Sequence, residues 1–272
     1  NLQKKEKEVS KVKKQLWVPI VVGLLLFTAT TTASAATIYV NTTGWWINEA
    51  QFNASATPLQ AAIENATAGD TIIANETGTY SGNLVVDRSL TITVDPDVSA
   101  TIDALGADTG VLIVAGDVTF NGFIVTNVSE IMGTGISVVY AANVQLTNND
   151  IELNLINGTG IAATNASGVV IDGNIVNVTA DDWADGIDVI DSENAQITNN
   201  DVDVNVEVTG VHAASLSTLD LASRHITPEK DIGEQQVGTL ASYGVNAVGM
   251  YVESSNNTVV TGNAVTATAR NL

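Results

Sequence analysis

The 272-residue sequence has no cysteine, four prolines and only 5% aromatic residues. Without cysteine there are no disulfide staples and no thiolate metal sites, so stability has to come from a buried core. So few aromatics argue against a bulky globular interior. An apolar content of 45% built mainly from small and β-branched residues suits thin, regular layers. Positive charge is also scarce, with 10 basic against 30 acidic side chains.

Six of those basic residues (Lys4, Lys5, Lys7, Lys11, Lys13 and Lys14) lie in the first 35 positions, together with two acidic ones, Glu6 and Glu8. Residues 36–272 therefore keep 4 basic and 28 acidic side chains, a formal net charge of −24. Such a surface repels phosphate backbones and anionic lipid, which excludes nucleic acid as an expected partner. The opening itself reads as an address. Lysine-rich "KKEKEVSKVKK" leads into apolar "LWVPIVVGLLLFTA" and then into small residues ending at Ala33–Ser34–Ala35. That order predicts a secretory signal over residues 1–35, or an uncleaved anchor, since 16–36 is near the length of a membrane span. Either way the remainder is expected outside the cytoplasm, extracellular or on the cell surface, touching a membrane only through this segment. Sequons at Asn41, Asn53, Asn65, Asn75, Asn127, Asn157, Asn165, Asn177 and Asn256 agree with a glycoprotein. The sequence breaks off at "ATARNL" inside a pattern, and truncation at the C-terminus is expected.

That pattern is a repeat. A glycine followed by alternating apolar residues recurs as "GVLIV" at Gly110, "GISVV" at Gly135, "GIAAT" at Gly160, "GIDVI" at Gly186, "GVHAA" at Gly210 and "GMYVE" at Gly249, in steps of 25, 25, 26, 24 and 39 residues. About nine residues after each glycine a second phrase places Asn149, Asn174, Asn200 and Asn263 between apolar positions. Period-two alternation marks strands with one buried face. Three short strands in about 25 residues cannot fold alone, but stacked at the roughly 4.8 Å strand spacing they form a parallel β-helix. On this reading glycine supplies a tight bend, and the four asparagines form an internal amide ladder from coil to coil. Phe123 and Arg224 stand at ladder positions in the two coils that depart from the rule.

Upstream, Thr57, Pro58 and Gln60 predict a short capping helix over 57–66, with Thr57 and Gln60 forming a capping box. It would cover the first coil of regular coils spanning 110–272. An inserted loop is expected near 227–243, and no cap is visible at the far end.

The order "PLQAAIENATAGDTI", "GTYSGNLVVDRSLTITV", "ATIDA" and then the Gly- and Asn-marked coils resembles the right-handed parallel β-helix proteins of the pectin-lyase-like superfamily. It is most similar to secreted or surface-displayed versions common in archaea and some bacteria. The resemblance implies an all-β solenoid over residues 36–272. It leaves function open among polysaccharide lyases, hydrolases, epimerases, adhesins and a copper-site maturation protein.

One cluster invites chemistry: "DDWADGIDVID", with Asp181, Asp182, Trp183, Asp185, Asp188 and Asp191. Paired carboxylates are what glycosidic cleavage needs. Its "DGID" resembles part of the polygalacturonase aspartate signature, but no paired Gly-Asp-Asp, Gly-His-Gly or Arg-Ile-Lys accompanies it. Lyase chemistry would need a basic residue, and Arg224 and Lys230 are the two near the insertion. Copper would need soft or imidazole ligands, and Met132, Met250, His212 and His225 are all that residues 36–272 offer. The reading is therefore an exported surface or envelope protein with a structural, adhesive or carbohydrate-binding role, its partners extracellular polysaccharide or envelope proteins. The alternative is a polysaccharide lyase or hydrolase with an incomplete site. No catalytic residue and no cofactor are assigned. Trp183 would stack on a sugar ring while Asp181, Asp182 and Asp185 take its hydroxyls or hold calcium, and Asp188 extends the patch. The segments before Gly135, Gly186 and Gly244 are expected to project as loops from one edge.

Overall fold

The computed structural model describes residues 34–48, 50–208, 235–242 and 245–271. The N-terminal segment up to Ala33, and the expectations placed on Gly210, His212, Arg224, His225, Lys230 and Gly244, lie outside these. No helix among the described residues is long and apolar enough to cross a membrane.

The chain from Ala35 onward winds as a parallel β-helix of roughly 26 residues per turn. One sheet stacks Thr37–Asn41, Thr71–Ala74, Thr91–Val94, Thr119–Asn121, Gln145–Thr147, Val170–Asp172, Gln196–Thr198 and Val259–Thr261, each parallel to the next. In-register pairing lines up Ile38, Ile72, Ile92, Phe120, Leu146, Ile171 and Ile197 in one interior column, all fully buried. The alternation that buries these positions turns their neighbours outward. A second sheet holds the other two strips of each coil. In two coils these strips are one continuous strand, Asp150–Thr164 and Ile175–Ile190, rather than the two short strands expected.

Four asparagines stitch the coils internally. Asn149 donates its backbone N–H (2.9 Å) and Nδ2 (3.0 Å) to Asn174 Oδ1. Asn174 does the same to Asn200 at 2.9 and 3.0 Å, and Asn200 to Asn263 at 2.8 and 2.9 Å. The second Nδ2 hydrogen of each reaches a carbonyl one coil back: Phe120, Leu146, Ile171 and Ile197. Asn149, Asn174 and Asn200 are buried, with every polar atom engaged. Phe123 starts the ladder: its N–H donates to Asn149 Oδ1 at 3.1 Å, and its ring stacks on Phe120 at 4.8 Å.

The repeat glycines act differently from expectation. Gly110, Gly135, Gly160 and Gly186 are absent from the positive-φ positions of the backbone, so no left-handed bend requires them. What they supply is space. A Cβ on Gly160 would overlap Val176 Cγ1 and the Gly186 carbonyl oxygen, and one on Gly186 would overlap Val202 Cγ1 and the Gly249 carbonyl.

The first coil is covered by the helix Pro58–Asn65, which buries Pro58, Leu59, Ala62 and Ile63. Its capping box does not form: Thr57 makes no side-chain cap bond. Gln60 Oε1 instead accepts the Val85 N–H at 2.9 Å, and its Nε2 donates to Glu64 at 3.2 Å. The amide is used to satisfy an edge strand, which a backward reach to Thr57 would forgo. A hairpin from Thr37–Asn41 to Gly44–Ile47 covers the other edge. The Trp46 ring on this hairpin contacts those of Tyr39 and Phe52, each at a centroid spacing of 5.9 Å. At the far end, part of the segment expected as a loop, Gln235–Ser242, is a strand lying antiparallel on Val245–Glu253.

Candidate functional site on an outer face

The acidic cluster lies along Ile175–Ile190, a strand and not a projecting loop. Of the three segments expected to project together, 127–132 is irregular, this one is a strand, and the third lies partly outside the described residues. Asp181 and Asp182 form a β-bulge: Leu155 pairs with Ala180 and Asn157 with Trp183, so the two aspartates oppose the single residue Ile156. This extra residue accounts for the 26-residue step from Gly160 to Gly186, where the preceding step is 25. Both aspartates are exposed.

Beyond the bulge, alternation runs as far as Gly186 and shifts there by one residue, with Gly186 and Ile187 buried in succession. Ala184 is buried, which puts Trp183 and Asp185 on the opposite, outer side. Trp183 is half-buried, while Asp185 is only 7% exposed. Ile187 and Val189 point into the core, leaving Asp188 and Ile190 outward. One coil further on, Tyr251 pairs with Asp188 and Glu253 with Ile190. The Tyr251 hydroxyl donates to Glu253 Oε2 at 2.7 Å. Asp185, Asp188, Tyr251 and Glu253 are thus neighbours on the outer face, and Trp183 lies on the same outer side, two residues before Asp185. Asp191 is not part of it: this exposed residue turns the chain with a φ of 50°.

Asp185 and Asp188 resist ionisation on this half-dry face. Burial, reinforced by the Asp188 charge, pushes Asp185 up to about 7. Burial, reinforced by the Glu253 charge, pushes Asp188 up to about 6. Asp188 Oδ1 is buried with no hydrogen-bond partner among the described residues, an acceptor that a bound donor would satisfy. Held up in this way, both carboxyls can carry a proton, and so donate a hydrogen bond, closer to neutral pH than an ordinary aspartate. Matching donors and acceptors of this kind beside an aromatic side chain suit a polyhydroxylated ligand.

The calcium set is not assembled. No three Asp, Glu or His side chains gather closely enough to hold a metal ion among the described residues. Asp181 and Asp182 sit in solvent on the bulge, and Asp185 is buried past it. Met132 and Met250 likewise do not combine, one 68% and the other 1% exposed. Tyr251 and Glu253 escaped the sequence reading, although "GMYVE" aligned beneath "GIDVI" sets Tyr251 under Asp188 and Glu253 under Ile190.

Residues 98–271 match the sequence model of a family described as the right handed beta helix region. The chain belongs to that family. Among curated proteins, none matches the sequence of this right-handed β-helix. The crystal structure of pectate lyase Pel9A overlaps 65% of this chain and 70% of its own, at 13% identity and a TM-score of 0.30. A likeness of that size carries neither chemistry nor residue roles across.

Proposed function

We propose that this right-handed β-helix is an exported cell-surface or envelope protein that binds carbohydrate through the outer face bearing Trp183, Asp185, Asp188, Tyr251 and Glu253. The observation that carries the reading is the geometry of the outer face: two partly buried carboxyls, one with an oxygen that meets no partner among the described residues, on the same side of the coils as the aromatic side chains of Trp183 and Tyr251. The leader-like opening, the sequons and the charge of −24 over residues 36–272 support a place outside the cytoplasm. That charge also favours neutral glycans over anionic ones, which it repels. Asp181 and Asp182 border the face and add hydroxyl acceptors from the bulge. Binding needs no cofactor.

The test is a neutral-glycan array followed by calorimetric titration of the wild type, Trp183→Ala and Asp188→Asn. Binding by the wild type that weakens at least tenfold in each variant is expected. A wild type that binds no glycan, or variants that bind equally well, refutes the assignment of this face.

The proximity of Asp185 and Asp188, both held above the ordinary carboxylate range by burial, favours a second reading, a hydrolase in which one carboxyl acts as acid and the other as base. No lysine or arginine stands on the face among the described residues. Release of reducing ends from a neutral polysaccharide, abolished by Asp185→Asn, distinguishes this reading from simple binding.

A further inference from the structure

Asp70 is a carboxylate that the fold buries without giving it a cation. It is 4% exposed, and ionised side chains are as a rule buried that deeply only when paired. Its donors are neutral. Oδ2 accepts the Thr67 backbone N–H at 2.8 Å and the Thr67 hydroxyl at 2.9 Å, and Oδ1 accepts the Ala36 N–H at 2.7 Å. Burial alone would raise its pKa, but the bonds from Thr67 and Ala36 outweigh it and hold the group below the ordinary carboxylate range. It is therefore ionised at neutral pH. The cation nearest in sequence, Arg88, is engaged elsewhere: it bonds Asp87 and the carbonyls of Glu64 and Ala66. No side-chain cation pairs with Asp70 among the described residues.

The donor on Oδ1 has a particular place in the chain. Ala36 directly precedes the first strand, Thr37–Asn41, and its carbonyl accepts the Thr71 N–H at 2.9 Å. Both sides of the residue are thus held by the segment Asp70–Thr71. Before it, Ser34 and Ala35 are exposed and outside any strand. They close the small-residue run Ala33–Ser34–Ala35 that ends the leader-like opening. Small side chains one and three residues before a bond suit a leader-removing endopeptidase. The bond such an enzyme would cut is Ala35–Ala36, and the nitrogen it would free is the one that already faces Asp70.

We propose that Asp70 is the receiving site for the α-ammonium group of Ala36, released by hydrolysis of the Ala35–Ala36 bond, so that removing the leader completes the first coil with an ion pair. The reaction consumes one water. Its oxygen bonds the Ala35 carbonyl carbon, the C–N bond breaks, Ala35 ends as a carboxylate, and both water hydrogens pass to the Ala36 nitrogen. The uncut chain offers Asp70 an amide hydrogen, whereas the cut chain offers a full positive charge at the same position. Charge-assisted bonds of this kind are about twice as strong as neutral ones. Because Thr67 holds Oδ2 whatever Ala36 carries, the carboxylate is in place before the cut. The remaining ammonium hydrogens take water on the exposed side that Ala35 vacates. The proposal rests on the export reading above and not on the carbohydrate one.

The full chain is expressed with 13C label in an exporting bacterial host, and the intact mass of the secreted product is measured. Loss of residues 1–35 is expected. The freed α-amine is then titrated through the Ala36 carbonyl shift by NMR, in the folded protein and in urea. Its pKa should be at least about one unit higher in the folded protein, since an opposite charge in contact favours the ammonium. Asp70→Asn should remove that difference. A secreted product that begins at any other residue overturns the proposal and leaves export standing. So does an α-amine that titrates alike in the two states, or a raised value that persists in Asp70→Asn. A chain that keeps its opening and is never secreted overturns both. The comparison of folded and unfolded wild type needs no substitution, so a misfolded Asp70→Asn cannot imitate the result.

Discussion

Replacing Asn174 by alanine tests the internal ladder at its best-defined rung. The substitution removes the oxygen that accepts both the Asn149 N–H and its Nδ2, and the Nδ2 group that donates to Asn200 Oδ1 and the Leu146 carbonyl. Asn200 Oδ1 keeps its bond from the residue-174 backbone N–H. The Asn149 N–H and the Leu146 carbonyl lose their side-chain partners in a site with no solvent exposure at Asn174. Each orphaned buried group costs about 1–3 kcal/mol, so the sum is about 3 kcal/mol after some relaxation. For a domain of this size that lowers the Tm by about 6–12 °C. The control is Asn154→Ala, an exposed strand position where the change should stay within about 0.5 kcal/mol. Urea unfolding followed by circular dichroism measures both. Because amides do not titrate, the gap between the variants should be the same at pH 5 and pH 8. An Asn174→Ala protein as stable as Asn154→Ala would mean that the ladder bonds do not hold the coils together.

Two other perturbations address the outer face and the corner. Asp185 and Asp188 have folded-state pKa values raised above the ordinary 3.8, to about 7 and about 6. The folded protein therefore binds more protons than the unfolded chain between about pH 4 and pH 7, and their contribution to stability falls as pH rises through that window. Asp185→Asn should be more stable than wild type at pH 8 and nearly equal at pH 4, and a urea midpoint that responds identically to pH in the two proteins contradicts the buried pair. Gly186→Ala should cost at least about 2 kcal/mol through overlap with Val202 and the Gly249 carbonyl. Gly69→Ala, with φ +93° but open space around it, should cost only about 1 kcal/mol, and thermal unfolding of both variants separates crowding from backbone strain.

Much of the coil geometry was legible because each coil templates the next, so the same phrase recurs. Asn149, Asn174, Asn200 and Asn263 could be placed at one corner from spacing alone. Even the bulge at Asp181 and Asp182 was written in the count, as a step of 26 against 25. What glycine does at the corner was not legible, since sequence registers that a side chain is absent but not whether φ or space demands it. Gln60 satisfied the helix-start pattern and was drawn instead to the Val85 N–H, a partner 25 residues away. The face was half legible. Asp185 and Asp188 stood out as a local cluster, but Glu253 joins them from a strand more than sixty residues on, past an insertion that breaks the regular step. Only pairing across coils reveals that neighbour.

The ladder also has a sense of growth. Each rung presents finished donors that wait for the oxygen of a rung made later, so a coil added at the C-terminal side completes bonds that its predecessor has already aimed. The capped coil is the first part of the solenoid to leave a ribosome or an export channel, and every later coil arrives at an edge prepared to receive it. Assembly can then proceed like a ratchet, one turn at a time, in the order of synthesis. A chain delivered in the opposite direction would hold out oxygens with nothing yet to bind them.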